Sequence, residues 1–257
     1  MPEALVAHAR RFVESGAAPA TPRRAATVVL LRPAPTGAFD VYAMRRAATM
    51  RFAPNMYAFP GGAVDERDAA TGLDWRGPAP AEWAARLGLP EADARAVVCA
   101  AVREVFEETG VLLAGDGATA PDEADRLELE SGRTGLAELL AVRGLPLRSD
   151  LLAPWARWLT PEFEPRRYDT YFFLARLPEG QQTRSAGPEA AHTAWLSPAE
   201  AARLPMLPPT AYTLRQLCEY QDIESALAAA EDRWLTAAVT PHLVDDPDRP
   251  RLAIYPQ

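Results

Sequence analysis

The sequence predicts an α/β protein, an α/β/α sandwich on a mixed sheet. Three observations carry this. Apolar strand-like runs, led by Thr27-Val28-Val29-Leu30-Leu31, are interspersed with helical segments. A long helix over Pro90–Thr109 buries one face and concentrates acid on another. A strand, a glycine turn and that helix follow one another, as an active centre on such a scaffold requires.

In that helix Val98, Val102, Val105 and Phe106 make an apolar stripe, with Glu104, Glu107 and Glu108 roughly opposite at i, i+3 and i+4. Gly110 follows as the stop. Three glutamates at this spacing are more often a solvated face than a site. Two features argue otherwise. Arg103 stands four residues before Glu107, placed to orient a carboxylate through forked hydrogen bonds. Phe59-Pro60-Gly61-Gly62 is a turn at which main chain can approach a ligand closely. Hard oxygen donors of this kind suit Mg2+ or Mn2+.

Together these residues resemble the Nudix box, G-x5-E-x7-R-E-U-x-E-E-x-G-U with U aliphatic. Arg103 to Val111 agrees at every specified position. The first half is interrupted, because Gly62 and Arg103 stand 41 positions apart where the pattern allows 14. Counting forward from Gly62 puts the first box acid at Asp68; counting back from Arg103 lands on Arg95. The two counts leave that acid unassigned. The resemblance implies a Nudix-type sandwich with an insertion inside the box and extra C-terminal helices. It also implies metal-dependent hydrolysis of a phosphoanhydride in a nucleoside diphosphate-linked compound. Arg103, Glu104, Glu107 and Glu108 would be catalytic, and the three glutamates with the Gly61 carbonyl would hold the metal. A further ligand or base from a late loop is expected at Glu189, with Glu162, Glu164 and Asp169 as rivals.

Arg46-Ala47-x3-Arg51-x3-Asn55-x3-Phe59-Pro60-Gly61-Gly62 resembles the coenzyme A signature of that family, Leu-Leu-Thr-x-Arg-(Ser/Ala)-x3-Arg-x3-Gly-x3-Phe-Pro-Gly-Gly. Asn55 stands where the signature has Gly, and Tyr42-Ala43-Met44 replaces Leu-Leu-Thr. Arg46, Arg51, Phe59 and Gly62 are the expected substrate-binding residues, since guanidinium forks recognise phosphate well. The runs Pro154–Glu162 and Pro165–Phe173 are similar to the nucleoside diphosphate-linked moiety X motif 19 group of coenzyme A and acyl-CoA diphosphatases. Coenzyme A or acyl-CoA is thus the expected substrate, cleaved to 3′,5′-ADP and (acyl-)4′-phosphopantetheine. ADP-ribose, NADH or another dinucleotide is the alternative within the family. A non-catalytic ligand sensor is the alternative outside it, and would need a DNA-binding appendage that the sequence does not display.

Residues 1–22 form an N-terminal arm with a helix over Glu3–Glu14, and residues 23–257 one domain with insertions at about 69–90 and 114–150. Strands are expected over Ala25–Arg32, Asp40–Arg45, Met56–Phe59, Ala153–Leu159, Tyr168–Ala175, Ala194–Leu196 and, at an edge, Leu252–Tyr255. Ser197-Pro198 reads as a capped helix start, with helices over Tyr212–Tyr220 and Ile223–Ala230 beyond. The insertion at 69–90 is expected to shape the substrate mouth without supplying metal ligands, with Trp75 and Trp83 packing it onto the body.

Composition narrows the function classes. The 257 residues are 48% hydrophobic and 24% charged, with net charge −8, which argues against nucleic acid as a partner and for a small-molecule nucleotide substrate. Only two cysteines, Cys99 and Cys218, are present, so no disulfide framework is expected. No apolar run approaches the ~18 residues of a membrane span, and no apolar leader opens the chain. A cytoplasmic protein is expected, with a homodimer left open.

Overall fold

The computed structural model describes residues 3–35, 38–50, 53–116, 122–184, 190–244 and 251–256. In chain order its first elements are α1 (Glu3–Ser15), β1 (Arg23–Pro33), β2 (Phe39–Arg46), β3 (Tyr57–Ala58), β4 (Gly61–Ala63), a 3-10 turn (Glu66–Ala69), β5 (Trp75–Arg76) and α2 (Pro80–Leu87). Then come α3 (Glu91–Thr109), α4 (Glu123–Glu130), α5 (Leu136–Arg143), β6 (Leu147–Arg148), β7 (Ala153–Leu159) and β8 (Tyr168–Arg176). The last are β9 (Ala190–Leu196), α6 (Pro198–Ala201), α7 (Pro208–Leu217), α8 (Ile223–Glu231), β10 (Val239–Val244) and β11 (Arg251–Pro256).

Nine strands form one mixed sheet in the order β11-β10-β7-β8-β1-β2-β3, with β4 on β1 and β9 on β2. β1 lies at its centre, parallel to β8 over Arg23–Leu31 and antiparallel to β2 and β4. It is apolar on both faces because both faces are covered. Ala26, Val28 and Leu30 join Tyr171 and Phe173 in a core with α3, while Val29 and Leu31 join Phe172 and Leu174 in a second core with α6, α7 and α8. This is the expected sandwich. Trp155, Trp158, Tyr171 and Phe173 are each 3% exposed or less, so this aromatic run is core and offers no ring to a ligand.

α3 begins after Pro90 and ends at Gly110, whose φ of +72° is the left-handed stop that only glycine adopts at little cost. The hairpin of β1 and β2 pairs Leu31 with Val41. Ser197 caps α6 by accepting from the Glu200 N–H, as expected. β9 runs longer than the three residues the sequence suggests and pairs with β2 from Val41 to Arg46. Among the described residues β11 pairs with β10 alone, at the sheet edge. The N-terminal arm docks on the body: Val6 and Ala9 are buried, His8 Nε2 lies 2.8 Å from the Phe163 carbonyl, and Arg167 donates to the Ala20 carbonyl at 3.0 Å.

The insertion at 69–90 packs onto the body through Trp83 and Trp75, as expected. Trp83 and Leu87 of α2 are fully buried in the core against α3, with Trp83 edge-on to Phe173 at 5.8 Å between centroids. Beyond it β5 pairs in parallel with β6 of the second insertion, Trp75 opposite Leu147 and Arg76 opposite Arg148. The Ser149 hydroxyl donates to the carbonyls of Arg76 and Pro78. The two insertions therefore fold onto each other, and the first supplies core in addition to surface.

Trp83→Ala should destabilise the protein by about 3–5 kcal/mol, the usual cost of emptying a fully buried aromatic site. Trp83→Phe should cost less, since the indole Nε1 has no partner among the described residues. Urea unfolding of both variants checks this; a loss under about 1 kcal/mol for the alanine variant would contradict a core role.

Candidate active site

β4 brings the glycine turn onto the carboxylate helix. Gly61 pairs with Thr27 and Gly62 with Ala26 across β4 and β1. A Cβ on Gly61 would fall 2.4 Å from the Ala26 carbonyl oxygen and 2.7 Å from Thr27 Cα, both backbone atoms with little freedom to move. A Cβ on Gly62 would fall 2.3 Å from Glu104 Oε1. At Gly61 only glycine lets β4 lie this close to β1, and at Gly62 a Cβ would displace the Glu104 carboxylate. The Gly61 N–H uses that approach to donate to Glu108 Oε2 at 2.8 Å.

Arg103 is the hub. Its Nε and Nη2 donate to Asp68 Oδ1 and Oδ2 at 2.9 and 3.0 Å in a two-pronged fork. Nη2 also donates to the Ala63 carbonyl at 3.0 Å. Nη1 reaches Glu104 Oε1 at 2.8 Å and Glu107 Oε2 at 3.1 Å. All five guanidinium N–H groups thus have a partner. Burial alone would lower the Arg103 pKa; hydrogen bonding to Asp68 and the charges of Glu104, Asp68 and Glu107 outweigh it and hold the group more firmly charged than usual. Glu107 moves the other way. Burial pushes its carboxyl up to about 7, opposed by Arg103 and reinforced by Glu104.

Asp68 resolves the ambiguity left by the broken motif. Its side chain is 1% exposed, and its Oδ2 also accepts from the Asp65 N–H at 2.8 Å, which fixes it within the 3-10 turn. The forward count from Gly62 lands on this residue, and its pairing with Arg103 is what separates it from the backward count. Arg95, reached by the backward count, lies on α3 with its Nε buried and unpartnered among the described residues.

The other expected site residues divide. Phe59 is corrected: it is 3% exposed, packed in the core on the far side of the sheet from α3, so its ring serves packing and not a ligand. Arg46 is half-buried at the end of β2, beside a bulge in the β2–β9 pairing. Asn55 has φ +62°, a left-handed turn conformation that Asn tolerates, so replacing the signature glycine keeps the backbone the glycine would allow. Arg51 and Glu189 lie outside the described residues. Of the rivals to Glu189, Asp169 is occupied by a two-pronged pair with Arg157 at 2.8 Å on both arms, and Glu162 is exposed. Cys99 is buried and its thiol is pushed up to about 12 by desolvation, which leaves it inert.

Glu104, Glu107 and Glu108 fit a hard divalent cation in donor chemistry. Glu107 is largely buried, and that desolvation raises its carboxyl pKa against the opposing charge of Arg103. Among the described residues no three His, Cys, Asp or Glu side chains converge as a ready metal cage. Arg103 Nη1 instead bridges Glu104 and Glu107. A cavity of about 380 Å³ lined by Tyr212, Arg215, Gln216, Glu219, Tyr220 and Arg233 involves none of these residues.

The family model of the NUDT19 Nudix domain matches residues 81–217. The chain belongs to this Nudix family. The match takes in the Arg103–Val111 half of the box and leaves Asp68 and the glycine turn outside it. A crystal structure of a NUDIX hydrolase from Alicyclobacillus acidocaldarius is similar at 30% identity, covering 81% of this chain and 96% of that one with a TM-score of 0.68. The putative nudix hydrolase 7 of Caenorhabditis elegans is 28% identical over 71% of this chain and 57% of its own. The human acyl-coenzyme A diphosphatase NUDT19 is 29% identical over 83% of this chain and 75% of its own. The chain thus spans little more than half the length of the nematode relative. No described helix of this Nudix chain is long and apolar enough to cross a membrane.

Two predictions follow from the Arg103 cluster. Asp68→Ala should cost about 3–5 kcal/mol, because it leaves the buried Arg103 without its two-pronged partner. Urea denaturation reads this, and a loss below about 1 kcal/mol would mean that Glu104 and Glu107 suffice. The second concerns Glu107 in a chelator. Its folded pKa lies above its ordinary value, so the folded form retains the proton more tightly than the unfolded chain. The resulting stabilisation is fully present below the ordinary value of 4.5 and is lost as pH rises through about 7. Thermal unfolding midpoints from pH 5 to 8 should therefore decline less in Glu107→Gln than in the parent; equal declines would contradict the shifted pKa.

Proposed function

We propose that this Nudix chain is a divalent-metal-dependent pyrophosphohydrolase acting on coenzyme A or acyl-CoA. Water enters across the P–O–P bridge, and the products are 3′,5′-ADP and (acyl-)4′-phosphopantetheine. The observation that carries the reaction is the set of Glu104, Glu107 and Glu108 on one helix, held by Arg103 and the Gly61 N–H. The substrate class is supported by the human and chicken relatives, each named acyl-coenzyme A diphosphatase NUDT19, and by Arg46 and Arg51 in the coenzyme A register.

Mg2+ or Mn2+, held by the three glutamates and the Gly61 carbonyl, would supply Lewis acidity and neutralise charge on the phosphoanhydride. The protein's own part is orientation. Arg103 fixes the carboxylates of Glu104 and Glu107, and the Gly61 N–H fixes that of Glu108. Arg46 and Arg51 are assigned to the additional phosphate of the substrate, and Glu189 to a further ligand or base. The acidic net charge of −8 supports a small-molecule substrate over nucleic acid, and the low cysteine count supports a cytoplasmic setting.

Steady-state kinetics on coenzyme A, dephospho-coenzyme A, ADP-ribose and NADH should show preference for coenzyme A. Glu107→Gln and Glu108→Gln should each fold and lose orders of magnitude in turnover. Arg46→Ala should weaken coenzyme A by about 10- to 150-fold, the worth of one charge-assisted contact, and dephospho-coenzyme A much less. Preference for ADP-ribose or NADH would overturn the substrate while leaving the hydrolase standing; near-normal turnover in both glutamine variants would overturn the metal assignment.

A further inference from the structure

The last turn of α3 has an electrostatic problem that its own sequence does not solve. A helix C-terminus carries partial negative charge and exposed carbonyls. Glu107 and Glu108 sit there, and α3 has no basic residue in its last turn. The Phe106 carbonyl is taken by the Gly110 N–H. Those of Glu107 and Thr109 are satisfied from elsewhere in the chain.

Arg126 of α4 is 5% exposed, and its Nη1 donates to the Glu107 carbonyl at 2.6 Å. The same guanidinium is held by Glu130 Oε2 at 3.0 Å and Glu123 Oε1 at 3.0 Å from Nε. The other Glu123 oxygen accepts from Arg184 Nη1 at 3.2 Å. The Arg184 N–H donates to the Thr109 carbonyl at 2.8 Å, and the Arg184 stem packs against Gly110. Tyr42 closes the ring from β2, its hydroxyl donating to the Arg184 carbonyl at 3.4 Å. The helix end is thus clamped from α4 on one side and from the segment after β8 on the other. A buried guanidinium with two carboxylates and a helix carbonyl is a fixed object.

We propose that Arg126 is a positioning residue for the carboxylate site, acting through the Glu107 carbonyl and braced by Glu123 and Arg184. Arg103 holds the Glu107 side chain while Arg126 holds its backbone, so together they set where the metal-facing oxygens of Glu107 and Glu108 stand. The second insertion then serves the chemistry by bracing the helix end. This rests on the reading of Glu107 and Glu108 as metal ligands.

The test uses Arg126→Ala, Arg126→Lys and Glu123→Gln in the full chain. Mn2+ affinity is read from the paramagnetic resonance of free manganese, which needs no turnover. Arg126→Ala should bind Mn2+ about 10-fold or more weaker and lose kcat by a similar factor, as loss of an outer support does, with KM within about threefold. Arg126→Lys should recover part of both. A folded Arg126→Ala protein with parental Mn2+ affinity and kcat overturns the proposal. Should Arg126→Ala not fold, the exposed Glu123→Gln decides: weaker Mn2+ binding supports the brace, and unchanged binding overturns it. If the parent protein binds no Mn2+, the metal reading fails on its own. Amide hydrogen exchange at residues 107–111 then judges the clamp, with faster exchange in Arg126→Ala expected and unchanged exchange overturning it.

Discussion

Three of the four carboxylates at the candidate site, Asp68, Glu104 and Glu107, are held by one buried cation. Arg103 is 12% exposed at its side chain and donates to three carboxylates and a carbonyl. Burying a guanidinium costs several kcal/mol unless it is fully paired, and here the pairing is complete. The balance of charge is not. One arginine faces Asp68, Glu104 and Glu107, so the cluster keeps net negative charge in a place with little water. The folded chain accommodates this by raising the Glu107 pKa. A divalent cation would accommodate it better, which makes metal affinity and local strain two readings of the same arrangement.

Much of this was legible in the residues. The stripe and stop of α3, the double-faced apolar run of β1, the Ser197 cap and the acid–arginine pattern all depend on local spacing, which a sequence states directly. Asp68 did not, because the motif's own ruler was broken between Gly62 and Arg103 and two counts gave two answers. Phe59 was misassigned because a residue beside a glycine turn looks accessible, and only the packing of the far sheet face shows otherwise. The β5–β6 pair is two residues a side, too short for any periodicity. Asn55 counted as a departure from a signature, although the turn asks for a backbone conformation and not for a residue name.

The interruptions are also less separate than they look along the chain. α2 presses on α3 from one insertion and α4 from the other, while β5 and β6 join them. A further tie is the Leu147 N–H donating to the Asp74 carbonyl at 2.9 Å, and just before the first insertion Arg67 Nη1 donates to the Gly132 carbonyl at 2.6 Å. Two loops that each lack a core of their own share one, and the carboxylate helix is what they share it with.

The split motif has a consequence for how the chain reaches this state. Asp68 and Arg103 are 35 residues apart, whereas in an uninterrupted box the same two positions stand eight apart. Loop-closure entropy rises by about 0.6 kcal/mol per doubling, so the longer span costs roughly 1.2 kcal/mol more to close. The packing of Trp83 and Leu87 against α3 offsets this, since α2 lies within the loop being closed. The ion pair at the heart of the site is thus a non-local contact. The cost of closing it is offset by residues that touch neither carboxylate nor guanidinium of the pair.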